Sequence, residues 1–355
     1  MIGKSSPLRP LYLEPLDLVS RQSHARYDAI PALGGTTAAL SVAVWRPGGE
    51  TPRTVLPASD LPQWLDSLIE PDRARAAQTL SNWRKNPGFP GVAPGSDALA
   101  SLMGVVNLTP DSFYAASRQP DLAGAIDAGH RLSAEGAAIL DIGGQSTRPG
   151  SNVVSEPQEL ATILPVIESL TANTDAVLSI DTVRPRVTEA AIAAGARIVN
   201  DVSGLMPAAA LGEHAGLIIG HMRGNPATMQ KWPRSERGIF SLYDWLEQRI
   251  ETLVADGVSR NRIAIDPGFG FGKSVSHNQA IMRHLPILSG LGVTIAIGLS
   301  RKASLGFISG AGQAADRLPA SLAAALAAAS HGAAILRVHD VAATRQALQI
   351  ARFFR

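Results

Sequence analysis

From residue 99 onward one pattern governs what this chain can become: short apolar runs alternate with Ala-rich stretches of helical length, eight times over. The apolar runs are 102–107, 137–142, 176–181, 197–202, 216–222, 262–266, 293–298 and 333–338. The helical stretches between and after them are 121–135, 156–172, 185–194, 206–214, 241–256, 277–289, 317–331 and 341–353. Near-continuous apolar strands suit a parallel sheet covered on both faces. Eight strand–helix units in roughly 250 residues is the size of a closed (β/α)8 TIM barrel. The expected fold class is therefore α/β, a TIM barrel with a small N-terminal α+β extension. A doubly wound open sheet shows the same alternation and competes with it.

An internal repeat supports the count of units. SAEGAAILDIGG, IAAGARIVNDVSG and ASHGAAILRVHD share one order: helix end, Gly, Ala, apolar strand, polar residues. Gly136, Gly195 and Gly332 then fall just past a helix, where a positive φ is cheap only for glycine.

Upstream the texture changes. Residues 86–98 (NPGFPGVAPGSDA) hold three prolines and three glycines, which excludes a helix or an interior strand and reads as a linker. Residues 1–85 form the expected α+β extension. TTAALSVAVWR (36–46) has the look of a strand, and LPQWLDSLIE and DRARAAQTLSNWRK that of two short amphipathic helices. The barrel is expected over 99–355.

Composition narrows the function. The 32 basic and 30 acidic residues leave a net charge of +2, which gives no support to nucleic-acid or membrane partners. The absence of cysteine excludes thiolate catalysis, disulfides and Cys-bound zinc and fits a cytoplasmic protein. Glu14 and Asp17 interrupt the apolar core that a signal peptide would need.

Barrel enzymes work at the C-terminal ends of their strands. Here those ends carry Asn107, Asp141, Asp181, Asn200, Asp201, His221, Asp266, the run Ser300-Arg301-Lys302, and Arg337 with His339. Any one Asp or Asn there is as readily a helix cap. All eight strands ending in polar groups is more than capping needs. Arg148, Lys302, Arg337 and His339 are donors suited to an anion, and QSTRPG (145–150) and RVHD (337–340) are loops where such donors converge. Asp181, Asn200 and Asp266 are short side chains that suit the donor and acceptor edge of a polar nitrogen heterocycle. DPGFGFGKS (266–274) is not a P-loop, because the first glycine of that motif would fall at Pro267.

Eight runs carry a resemblance: MGVVNLTPDSF (103–113), LDIGGQSTRPG (140–150), SIDT (179–182), AGARIVNDVSG (194–204), HMRGNPATMQ (221–230), IDPGFGFGK (265–273), GLSRK (298–302) and RVHDV (337–341). In order and content they are similar to the dihydropteroate synthase family. The resemblance implies a Mg²⁺-assisted transferase of folate biosynthesis. It would join p-aminobenzoate to a dihydropterin methyl diphosphate, giving dihydropteroate and pyrophosphate, as a cytoplasmic homodimer. It implies pterin contacts from Asp181, Asn200, Met222, Asp266 and Lys302. Diphosphate contacts would come from Asn107, Thr147, Arg148, Arg337 and His339, with Asn107 also the Mg²⁺ ligand. Phe113, Pro149, Phe271 and Lys302 would border p-aminobenzoate. Lys302, Arg148, Arg337 and His339 would form the catalytic group.

Two departures stand out. The family's first loop carries an Asp where this chain has Ala115, and its second loop a Glu where this chain has Gln145. They keep two other readings in view, a non-catalytic pterin-binding paralogue and a related pterin-dependent methyltransferase barrel. The latter would not be expected to keep the STR, SRK and RVHD runs together.

Overall fold

The computed structural model describes residues 10–20, 29–33, 37–46, 53–85, 87–92, 99–108, 122–144, 154–222 and 238–354. The chain opens with β1 (Tyr12–Ser20), β2 (Ile30–Ala32), β3 (Thr37–Trp45) and β4 (Arg53–Pro57), followed by α1 (Leu61–Ser67) and α2 (Asp72–Arg84). β3 is the centre of this antiparallel sheet. β1 pairs along one edge, and β2 and β4 share the other. The alternation along β1 divides its side chains between two cores. Leu11 and Leu13 join Val42, Leu61, Ala76 and Trp83 in the unit's own core. Tyr12 points the other way, into the main core.

The main body is a closed barrel of eight parallel strands: β5 (Ser101–Asn107), β6 (Ile139–Gly143), β7 (Val177–Asp181), β8 (Ile198–Asp201), β9 (Gly216–Gly220), β10 (Ile263–Asp266), β11 (Thr294–Gly298) and β12 (Ile335–Val338). Each strand pairs with its neighbours in sequence, and β12 returns to β5. That closure decides against the open sheet. The helices are α3 (Leu122–Glu135), α4 (Glu156–Asn173), α5 (Pro185–Ala193), α6 (Ile239–Ala255), α7 (Val275–Arg283), α8 (Ala303–Ser309), α9 (Leu318–Ser330) and α10 (Val341–Phe353).

The pleat sorts the strand residues by parity. Leu102, Leu140, Ile142, Leu178, Ile180, Val199, Leu217, Ile219, Ile263, Ile265, Ile295, Ile297 and Leu336 pack in the core shared with the helices. Met103, Ile139, Ile198, Ile218, Ala264, Ala296 and Ile335 form a second cluster inside the barrel. The residues two positions further along the same strands are Val105, Asp141, Asn200, Gly220, Asp266, Gly298 and Arg337. The interior thus changes from apolar to polar within one step of the pleat.

The repeat of helix end, glycine and strand takes one geometry. Gly136, Gly195 and Gly332 have φ of 105°, 122° and 95°. The next residue's N–H reaches back to Leu132, Ala191 and Ala328 respectively, the Schellman pattern. Gly257 closes α6 the same way, with φ 93° and a bond from Val258 N to Leu253 O, a fourth copy that lacks the Ala that marks the other three.

Two expected helices differ. The stretch 206–214 forms only a 3₁₀ turn at Ala208–Leu211. Asp201 accepts hydrogen bonds from Ser203 N and Met206 N, so the chain is tied into a turn after β8, and Gly212 ends the remainder with a positive φ. The stretch 277–289 splits into α7 and a 3₁₀ segment Leu285–Leu291, broken before Pro286, which has no N–H to donate. The short helix α8 was not anticipated.

The extension seats on α6 and the Leu285–Leu291 segment. The Tyr12 ring lies 4.8 Å from Phe240 and 5.3 Å from Tyr243, and its hydroxyl donates to Asp244 at 2.6 Å. Asn82 donates to the Gly290 carbonyl at 2.8 Å, and Glu14 meets His284 Nδ1 at 2.9 Å. The described part of the Pro/Gly segment, 87–92, carries neither helix nor named strand, only a bridge between Phe89 and Val92. Phe89 is buried in the apolar cluster inside the barrel and acts as its floor. Gly216 leaves room for that ring, since a Cβ there would lie 2.9 Å from it.

Replacing a buried Phe by Ala leaves a cavity and costs about 3–5 kcal/mol. Phe89→Ala should therefore lower the midpoint of denaturant unfolding clearly. An unchanged midpoint would show that the floor contributes nothing to the barrel.

Candidate active site

The polar half of the barrel interior is built on one row of the ladder. Asn107, Gly143, Asp181 and Asn200 are register partners on four successive strands. Gly143 puts no side chain into this row, and a Cβ there would meet Asn107 Oδ1 and Asp181 Cβ at ordinary contact distances of 3.5 and 3.6 Å.

Below this row lies Asp141, fully buried. Its carboxylate accepts from Ser179 Oγ at 2.7 Å, Asn200 Nδ2 at 3.0 Å and Arg337 Nε at 2.6 Å. Arg337 also donates from Nη2 to Asp181 at 2.8 Å. One guanidinium is thus shared by two carboxylates. Burial is the main influence on Asp181 and raises its pKa to about 7, although Arg337 pulls the other way. Neighbouring Asp141 adds to the rise. Burial opposes the charge on Arg337, but the two carboxylates outweigh it and hold its pKa above the ordinary arginine value.

Asp266, at the end of β10, accepts from Gly268 N at 2.7 Å, and burial raises its pKa. The loop beyond it is wound tightly. Gly268, Gly270 and Gly272 all have positive φ. A Cβ at Gly268 would lie 2.0 Å from the His221 carbonyl oxygen, so the close approach also requires glycine. Lys273 staples this loop by donating to the carbonyls of His221, Gly268 and Phe271 at 2.8, 2.9 and 3.2 Å. The P-loop-like lysine therefore serves its own loop.

Lys302 precedes α8. Its ammonium donates to the Phe269 carbonyl and stands 4.4 Å from the centroid of the Phe271 ring. Burial lowers its pKa to about 8, against the pull of Asp266. His339 Nδ1 lies 3.0 Å from Ser300 Oγ, and burial, helped by Arg337, lowers its pKa to about 3. At neutral pH the imidazole offers one N–H donor and no charge.

The sequence-derived set therefore divides. Asp181, Asn200, Asp266, Arg337 and Asn107 converge at the barrel mouth. Lys302 and Phe271 pack against each other beside them, and His339 stands on the next loop. Met222 follows β9 and is half-buried. Phe113, Thr147, Arg148 and Pro149, with Ala115 and Gln145, lie outside the described residues. Asp141 and Ser179 were not in the predicted site. Their signal was available in the pleat: each lies two positions before a residue of the Asn107 row, on the same face of its strand.

Among the described residues no group of three His, Cys, Asp or Glu side chains could hold a metal ion. Asn107, the metal ligand that the resemblance implies, offers one amide oxygen, Oδ1, a hard donor of the kind Mg²⁺ takes, and an ion held there would draw its other ligands from a phosphate group and water. Among the described residues, too, no helix is long and apolar enough to cross a membrane.

The family model described as pterin binding enzyme matches residues 103–339. The dihydropteroate synthase of Neisseria meningitidis serogroup B is 43% identical over 263 residues, which span 70% of this chain and 90% of that protein. A solved structure of Xanthomonas albilineans dihydropteroate synthase with 4-aminobenzoic acid matches with a TM-score of 0.67 and 42% identity, covering 72% of this chain and 93% of that one. Another from the same organism, in complex with 7,8-dihydropteroate, matches with a TM-score of 0.63 and 38% identity, covering 72% and 92%.

The lowered pKa of Lys302 has a stability consequence with a definite sign. Between about pH 8 and the ordinary lysine range the unfolded chain binds a proton that the folded chain does not, so stability rises with pH there. Lys302→Met should remove that rise. Parallel stability–pH curves for the two proteins between pH 7 and 10.5 would show that Lys302 is not depressed.

Proposed function

The chain belongs to the pterin binding enzyme family, and we propose that it condenses a dihydropterin methyl diphosphate with p-aminobenzoate to give dihydropteroate and pyrophosphate. The observation that carries the reading is that Asp181, Asn200 and Asp266 all face the barrel interior around Arg337, with Lys302 and His339 beside them. A dihydropterin presents N–H donors and ring-nitrogen acceptors on its guanidine-like edge. Carboxylates facing that edge make paired, charge-assisted hydrogen bonds, and an Asn amide supplies one donor and one acceptor.

In the reaction the C–O bond to diphosphate breaks, the ring shares the positive charge left on the methylene carbon, the arylamine nitrogen bonds to that carbon, and the amine loses a proton. An arylamine is already neutral at pH 7, so no strong base is required to activate it. The demanding event is departure of a highly charged group. Donors aimed where that charge develops lower the barrier. Arg337, near the end of β12, and His339, on the loop just after it, are assigned to this task, as are Thr147 and Arg148 by their motif. The neutral His339 contributes a hydrogen bond. Arg337 contributes charge from a position tied to Asp181, which links the heterocycle end to the leaving-group end. Lys302, over the Phe271 ring, lies where the two substrates would meet. Phe271, with Phe113 and Pro149, would supply the flat walls that p-aminobenzoate needs.

Mg²⁺ belongs to this proposal as an ion carried with the diphosphate and held by Asn107, where it would neutralise charge on the departing group. The homodimer and the cytoplasmic location come with the same reading, supported by the resemblance and by the composition. The family model spans residues 103–339, so the reaction is assigned to the barrel.

Purified protein supplied with Mg²⁺ and both substrates should release pyrophosphate and form dihydropteroate. Retained pterin binding without turnover would favour the non-catalytic reading. Ala115 sets a second test. An acid beside a developing cation contributes in the way an oxyanion-hole donor does, where one contact is worth about 10²–10³ in rate. Ala115→Asp should raise kcat, and an unchanged or lower kcat would remove the missing acid as a limit on this chain.

A further inference from the structure

Arg301 immediately precedes the site residue Lys302, yet none of the assigned roles uses it. It has φ +57°, in the left-handed region that L residues other than glycine seldom enter. Such a backbone persists only where its surroundings over-determine it, and such residues cluster at functional sites. Here the surroundings are explicit. The backbone N–H of Arg301 donates to Ser321 Oγ at 2.8 Å, and its carbonyl accepts from Arg317 Nη1 at 3.0 Å. The side chain is 3% exposed. Its Nε and Nη2 donate to the two oxygens of Asp340 at 2.8 and 2.7 Å, and its Nη1 donates to the carbonyls of Ala314 and Ala315, both at 2.8 Å.

The flanking residues give this arrangement a purpose. Ser300 accepts from the His339 backbone N–H at 3.2 Å and sits 3.0 Å from His339 Nδ1. Lys302 directs its ammonium to the Phe269 carbonyl and the Phe271 ring. Three consecutive residues after β11 therefore meet, in turn, His339, Asp340 and the loop after β10. The strands beneath them, β11 and β12, pair only as far as Gly298 and Arg337. Beyond that point the ladder no longer holds the two loops together, and the planar fork of Arg301 on Asp340 takes its place.

We propose that Arg301 is a positioning residue, whose paired hydrogen bonds to Asp340 set the separation between Lys302 and His339 and so align the heterocycle end of the substrate with its diphosphate end. This rests on the reaction proposed above. Small misplacements of positioned groups cost about 10²-fold in rate, so the effect is measurable.

The test compares Arg301→Gln, Arg301→Lys and Asp340→Asn with the wild type, by steady-state kinetics, by calorimetric binding of inorganic pyrophosphate and by thermal unfolding. Arg301→Gln should weaken pyrophosphate binding roughly tenfold or more and lower kcat, a loss in the range expected when a positioned group drifts. Arg301→Lys keeps the charge without the fork and should recover part of the loss. On a His339→Ala background, Arg301→Gln should weaken pyrophosphate binding much less than it does alone, because the two act through one contact. Asp340→Asn keeps the volume and one acceptor, and it decides the matter if Arg301→Gln does not fold. Pyrophosphate affinity and kcat within about twofold of wild type, alongside a lowered unfolding temperature, would make the pair purely structural and overturn the proposal. A wild type that binds pyrophosphate but forms no dihydropteroate would sink the assigned reaction, while the binding comparison would still judge the positioning.

Discussion

A strand in a closed barrel has one face it can neither turn to water nor cover with a helix. Each residue on that face must be filled against residues from the other strands, and the pleat brings such residues at every second position. In this chain the constraint is met in two depths. The lower depth is apolar, with Met103, Ile139, Ile198, Ile218 and Ile335 closed from below by Phe89. One step further along, the same strands present Asp141, Asn200, Asp266 and Arg337. The apolar depth makes the polar depth possible, because it excludes water from beneath and leaves one direction of access.

That geometry also governs the charges. An unpaired buried carboxylate is costly, so the interior must balance itself. Arg337 does most of this by serving Asp141 and Asp181 together. Burial leaves Asp181 with a pKa near neutrality in spite of the pairing with Arg337, while Asp141 is held by Ser179 and Asn200 as well. The same economy shows at Lys302, where a carbonyl and an aromatic face take the place of water and leave the amine easily deprotonated.

Much of this was legible in advance. The eight strand–helix units, the glycines that end three of the helices, and the polar strand ends were all read from period and composition, because each reflects a local rule. The misses share a cause. The helix expected over 206–214 gave way to a turn because Asp201 ties up the backbone that would have begun it. Asp141 looked like one polar strand end among many until its depth was known. Arg301 looked like a site residue by position, but its side chain turns to Asp340 instead. The Pro/Gly segment, read as a linker, includes the ring that floors the barrel.

The sequence by itself determined the alternation of strand and helix and which residue types stand at the strand ends, because periodicity and side-chain chemistry are properties of short stretches. Through the order of its motifs it also pointed to the family. Only the tertiary structure decided that the sheet closes on itself, that Asp141 and Asp181 share one guanidinium, and that the extension seats Tyr12 on α6. Those outcomes join residues as far apart as Asp141 and Arg337, or Tyr12 and Asp244. Such contacts depend on how strands come into register around the barrel, and no local pattern in the chain encodes that distance.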